Sequence, residues 1–318
     1  MELRMCRDWV WLGILLGSLP LSGQIRGPMV GWVWDSRQEC IRPVLGIAGS
    51  SVLGKAIDAG GPVKQAAISG REEFAVVLLG EAMTARVVDL RLVETPSRPL
   101  GAPDGAQQIV LSPRGEAAVL LYSDPTVARV VAGLPSQPAI IREIDLSVEG
   151  LPARAAISDD GTLLALAYPE QKQVTFVDEH LNRIQLPEQI VVRSLSFLEK
   201  SGKLLIAGED GVTLVQGAPV NLQSQRIWET SSHAVAGLSE NRILLVDPAI
   251  QSVVEVNLEA GSLRVAQCPC APTAIVRMSG NGIFRLTEVS AEPLWLLEVT
   301  EAGLRTVFVP PDAGLALE

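Results

Sequence analysis

Six polar residues recur along this chain at nearly equal steps. Lys64, Gln107, Arg154, Arg193, His233 and Thr273 follow one another at intervals of 39 to 47 residues, and each opens a short apolar run such as RAAIS or RSLSF. Brought together at one opening, three cations, a histidine and two neutral hydrogen-bonding side chains could hold a small anionic or polyhydroxylated ligand. The plain alternative is that polar residues at strand starts simply meet solvent. Arg277 comes later in its run than Arg154 does in its own and is expected to point elsewhere.

Other chemistry is sparse. There is no G-x-S-x-G elbow, no H-E-x-x-H, and no G-x-G-x-x-G after a strand. The two histidines, His180 and His233, could enter a Ser-His-Asp triad only through long-range convergence that spacing does not supply. His180 reads as a solvated residue of the turn 179–182. Gly46-x-x-Gly49 lacks the Walker Lys-Ser/Thr ending, and no helix follows it. The stretch GEDG at 208–211 is a hairpin turn, short of the alternating carboxylates of a calcium loop. Cys268-Pro269-Cys270 offers too few ligands for a metal. Neither a metal nor a cofactor is expected.

The elements that must position these residues are strands. Residues 154–158, 162–168, 173–178 and 183–186 are four short apolar, β-branched runs, separated by Asp-Asp-Gly and Pro-Glu punctuation of the kind hairpins use. With Ser158 as a ruler, equivalents fall at Ser69, Ser112, Phe197, Ser239 and Ser279, at intervals of 39 to 46 residues. Four-stranded propeller blades repeat every ~40–45 residues, whereas no 3.6-residue apolar stripe of a helical solenoid is visible. Setting aside 24 N-terminal residues leaves seven periods of 42. The expectation is an all-β, seven-bladed propeller of four-stranded antiparallel blades, in one domain over 25–318. A six-bladed ring with an N-terminal extension is the alternative. Blades stack radially because none can bury both faces alone. Ring closure is expected to bring the first strands to the last two runs, 294–299 and 304–309. Trp32 and Trp34 alternate on one face of a strand and should pack between blades.

Composition excludes several partners. The chain is 47% hydrophobic and 19% charged, enough for one large core. A net charge of -10 speaks against nucleic acid, which calls for a basic field. Aromatics at 4% are too few for stacking platforms. Residues 1–24 read as a cleaved signal peptide, with Arg4 and Arg7 ahead of the apolar run 10–16 and small residues at 18–23. This places the protein in the periplasm or outside the cell. The alternative is a retained N-terminal membrane anchor flanked by Trp9 and Trp11. No later apolar run is long enough to span a bilayer. Cys6 falls in the leader. Of the remaining three cysteines, Cys40 could pair with Cys268 or Cys270 if ring closure brings them near; small buried thiols are the other reading.

The blade texture AAISDDGTLLALAY followed by QVTFVDEHLNRIQL resembles the YVTN/lactonase-like (WD-repeat-like) β-propeller superfamily, over about 63–309. The opening Arg26-Gly27-Pro28, then GWVWD and IRPVLG, is similar to uncharacterised secreted bacterial propellers. The superfamily includes lactone hydrolases that use acidic, Arg and His residues at the channel mouth. The degenerate repeats, the lack of a nucleophile motif and the scarcity of histidine point to an exported, non-catalytic binding or scaffolding module for a protein or small-molecule partner. A lactonase-like hydrolase with its site at the mouth is the alternative.

Overall fold

A computed structural model describes residues 27–311 apart from 72, 92–96, 248 and 281. The leader assigned to residues 1–24, Cys6 included, lies outside the described residues. The chain folds into seven antiparallel sheets, each built from one contiguous stretch. Seven apolar clusters among the described residues lie between neighbouring blades, one per interface. The seven-bladed expectation holds, and the reference blade folds as Arg154–Ile157, Leu164–Tyr168, Gln173–Val177 and Arg183–Gln185.

The serines of the repeat owe their place to the turn they close. The Ser112 and Ser158 hydroxyls accept the backbone N–H of Ala117 and Leu163, at 3.1 and 3.0 Å, and Ser69 accepts that of Phe74 at 3.5 Å. All three serines are buried, so each hydroxyl satisfies a donor that no water could reach. In the fifth blade the backbone position is held by Leu198, whose N–H donates to Lys203 as that of Ser158 donates to Leu163. The sequence ruler, set on Phe197, is therefore one residue short there. The GEDG stretch is a hairpin turn, with Gly208 paired to Gly211. Gly211 has φ +130°, and a Cβ there would lie 1.9 Å from the Trp228 carbonyl oxygen. Only glycine fits without moving backbone.

In six blades the innermost strand begins at the same end of the ring, called here the upper mouth. There the Arg154 side chain bonds the Arg193 carbonyl (3.0 Å), and Arg193 bonds Ser231 (3.1 Å). These strands end in the hairpin turns of the opposite, lower face. The first blade differs. It consists of β1 (Met29–Asp35), β2 (Cys40–Ile47) and β3 (Ser50–Leu53) among the described residues. The end of β1 lies at the upper mouth, because the Trp34 indole donates to the Val63 carbonyl (3.0 Å) and the N–H of Val63 to the Glu39 carbonyl (2.7 Å). So β1 runs against the other innermost strands. It has the sense and the near-complete burial of a second strand, such as Phe74–Leu79 or Leu164–Tyr168.

Closure of the ring is by side-chain packing. Val30, Val33 and Val44 of the first blade meet Leu294, Leu296 and Val307 of the last, while the two blades remain separate sheets. Trp32 and Trp34 pack towards the second blade, as their alternation suggests. The cysteine expectation is corrected: Cys268 is bonded to Cys270, and Cys40 is free. Cys268 follows the outer strand of the sixth blade and Cys40 sits in the first, so the whole seventh blade stands between them. The 268 and 270 Cα atoms are 5.0 Å apart, within disulfide reach. Burial first, then the Asp35 carboxylate, pushes the Cys40 thiol up.

Candidate functional site

All six predicted residues lie where innermost strands begin, on the upper side, and for three of them a feature unread in the sequence explains the polar type. Lys64, Gln107 and Arg193 are each the extra residue of a β-bulge in the innermost strand. At the seventh blade the N–H groups of Thr273 and Ala274 share the Leu286 carbonyl, at 3.1 and 3.2 Å. A bulge leaves its extra residue out of the ladder and turns its side chain to the rim. The structure brings Arg154 and Arg193 together and places Glu209 3.4 Å from Arg193. Lys64 is held by Glu39 and Glu81, both at 2.9 Å, and these carboxylates, Glu81 first, raise its pKa. Gln107 bonds Ser123. The His233 backbone N–H donates to Val246 (3.3 Å). Thr273 instead lines a separate 390 Å³ cavity with Cys270 and Trp295.

Arg277 points away from this mouth, as expected, and crosses the lower end of the channel. Its guanidinium donates to the carbonyls of Gly237 (2.9 Å) and Leu238 (3.3 Å), pairs with Glu199 (3.2 Å), and lies 4.9 Å from the Phe284 ring centroid. Burial lowers its pKa against the pull of Glu199. Gly70 makes room for it: a Cβ there would stand 2.9 Å from the Arg277 Cδ. Around Arg277 the channel holds a 390 Å³ cavity lined by innermost strands, by β1, and by Phe284 and Arg285 of the seventh blade.

The lower face carries a cleft of 720 Å³ across the third, fourth and fifth blades. Asp159 braces it, accepting the backbone N–H of Arg114 (2.7 Å) and of Lys200 (2.9 Å) from the blades on either side. The side chain of His180 is 75% exposed, a solvated turn residue. The Asn182 amide (2.8 Å) does most to hold the Asp178 carboxyl below its ordinary value, against burial and with help from the backbone N–H groups of Asn182 and His180. A depressed carboxylate contributes stability that is complete above its unfolded pKa, about 3.9, and is lost as pH falls through the folded value. Asn182→Ala is expected to remove much of that contribution, lowering stability at neutral pH and moving the acid unfolding midpoint to higher pH, with no difference left below the folded value. Unfolding followed by circular dichroism from pH 6 downward checks this. An unmoved acid limb would mean the Asn182 bond does not set the titration.

Among the described residues, no group of three or more His, Cys, Asp or Glu side chains could hold a metal ion, and no helix is long and apolar enough to cross a membrane. Asp159 and the channel-crossing role of Arg277 were not read in the sequence. Both depend on which turns meet across blades, which a single repeat does not reveal.

No family profile and no curated protein matches the chain. Solved structures do. A functionally unknown protein from Desulfotomaculum acetoxidans superposes with a TM-score of 0.59 at 13% identity, over 89% of this chain and 99% of that one. Apo AztD from Citrobacter koseri gives 0.58 at 12% identity, over 89% and 83%. A streptogramin B lyase gives 0.53 at 12% identity, over 83% and 85%. At such identities the likeness speaks for fold alone. In fold, this chain is a seven-bladed β-propeller.

Proposed function

We propose that the chain is an exported, non-catalytic binding or scaffolding module for a protein or small-molecule partner. The observation that carries this reading is the use made of charge. Charged groups are engaged in joining one blade to the next: Arg154 to the Arg193 carbonyl, Lys64 to Glu39, and Asp159 to both its neighbours. Surfaces fixed in this way are preorganised, which lowers the ordering cost of association. The leader pattern of residues 1–24 and the Cys268–Cys270 bond support an oxidising compartment, periplasmic or extracellular. On this reading the mature chain begins near Ile25; a retained leader would instead anchor it to a membrane.

One observation favours the hydrolase alternative. Glu209 stands beside Arg193 at the same mouth as His233, the pairing of carboxylate and cation that a lactone-opening site needs. A thermal-shift screen of the mature chain with lactones, sugar acids and phosphosugars separates the readings. A ligand of the upper mouth raises the melting temperature, and the gain disappears in Arg154→Ala/Arg193→Ala. Absence of any shift directs the module to a protein partner. Turnover of a lactone that Glu209→Gln abolishes would overturn the non-catalytic reading.

A further inference from the structure

Cys268 and Cys270 are bonded across a single proline, and that bond does little to hold the fold. A disulfide stabilises by the loop it closes, and a loop with one residue between its cysteines is among the shortest there are. The segment is also anchored without it. The Cys268 N–H donates to the Gln251 carbonyl (3.0 Å), and the Gln267 carbonyl accepts the Thr306 hydroxyl (2.9 Å). Beyond Cys270, the N–H groups of Thr273 and Ala274 share the Leu286 carbonyl. The two cysteines differ in their surroundings. Cys268 is 2% exposed and packs in the apolar cluster between the sixth and seventh blades. Cys270 is half-buried and, unlike Cys268, lines the 390 Å³ cavity beside Trp295. The hydroxyl residues Thr273, Thr287 and Ser290 also wall it, and its charged lining residues are two carboxylates, Glu292 and the Glu288 that pairs with Arg285.

We propose that this disulfide captures a cysteine in a basic stretch of a partner protein, as a mixed disulfide on Cys270. The proposal goes beyond the module reading above and makes no use of the upper mouth. The partner's thiolate attacks the Cys270 Sγ from the cavity. A new S–S bond forms, the bond to Cys268 breaks, and the Cys268 sulfur leaves with the electron pair and takes a proton from water. One disulfide replaces another, so no separate oxidant or reductant is consumed. The acidic wall of the cavity repels a bare thiolate, and positive charge beside the attacking cysteine offsets that repulsion. Apolar burial keeps the freed Cys268 in its neutral thiol form. A leaving thiol of that kind departs slowly. For the same reason it is slow to attack again, because the thiolate is the nucleophile. The adduct therefore forms slowly and lasts, which suits a covalent hold on a partner rather than the turnover of an oxidoreductase.

The test uses the whole chain carrying Cys6→Ser and Cys40→Ser, so that Cys268 and Cys270 are its remaining cysteines. The probes are two capped tripeptides, Lys-Cys-Lys and Glu-Cys-Glu. Adduct formation is followed by intact mass, and the site is mapped after alkylation of free thiols with iodoacetamide. Each rate is divided by the rate of the same probe with an oxidised peptide of residues 267–271, which removes the intrinsic reactivity of the thiol. The adduct is expected on Cys270, with Cys268 alkylated and the melting temperature of the ring hardly moved. The basic probe should react about tenfold faster than the acidic one on the normalised scale. Glu288→Gln/Glu292→Gln should bring that ratio close to one while the adduct still forms. The inference is overturned if no adduct appears until urea unfolds the ring, which would make the bond a structural staple. An adduct on Cys268, or unfolding of the ring as the adduct forms, would overturn it too. Equal normalised rates for the two probes would remove the basic partner and with it the proposal.

Discussion

Phe284→Ala is expected to destabilise the ring by about 3–5 kcal/mol. Phe284 has no exposed surface and lies in the cluster that joins the sixth and seventh blades, against Ala236, Leu244 and Leu297. Those neighbours come from strands of two blades fixed by their own ladders, so they cannot collapse into the vacated space. The ring also carries the Arg277 guanidinium, 4.9 Å from its centroid, and alanine removes that cation–π contact from a largely buried cation. Thermal unfolding should fall by roughly 10 °C, taking about 2–4 °C per kcal/mol for a domain of this class. A fall of under 2 °C would show that the interface between these blades repacks freely.

The second large effect concerns Asp35 and Arg42. Asp35 is fully buried, Arg42 is 5% exposed, and their charged atoms are 3.4 Å apart. Arg42→Ala leaves the Asp35 carboxylate buried with the backbone N–H groups of Arg37 and Gln38, at 3.1 and 3.2 Å. Breaking one side of a buried pair typically costs about 3–5 kcal/mol. Arg42 also donates to the Gly54 carbonyl (2.8 Å), so the loss should loosen the hold of β2 on the chain where it leaves β3. The double variant Asp35→Asn/Arg42→Met should recover most of the loss, since it removes both charges and keeps the acceptor for the turn. Urea unfolding of the single and double variants checks this. A double variant as unstable as Arg42→Ala would show that shape, not charge, is what the site requires.

The repeat was legible because propeller blades obey local rules. Apolar runs of strand length, Asp-Gly turns and, in three blades, a serine that closes the hairpin are all set within some ten residues. What escaped was non-local. Polar residues at the strand starts were visible, but the bulges that turn Lys64, Gln107 and Arg193 to the rim leave no mark in composition. The engagement of Arg154 and Arg193 with the neighbouring blade depends on lateral spacing between sheets, which one blade does not encode. Cysteine pairing failed for a related reason. Proximity in the ring was inferred from ends that close, and a full blade intervenes between Cys40 and Cys268. The first blade fits the seven-fold arithmetic by length, but nothing in GPMVGWVWD announces that its strand runs opposite to its counterparts.

The parity of the strands has a consequence for how the molecule is presented. Four antiparallel strands return the chain to the side from which it set out, and three deliver it to the opposite side. The odd first blade thus makes the described chain begin at the lower face, and six even blades bring it out at the upper mouth. Gly27 and Pro311, the first and last described residues, therefore stand on opposite sides of the ring. Anything tethered at Gly27 would face away from the rim of Lys64, Gln107 and Arg193.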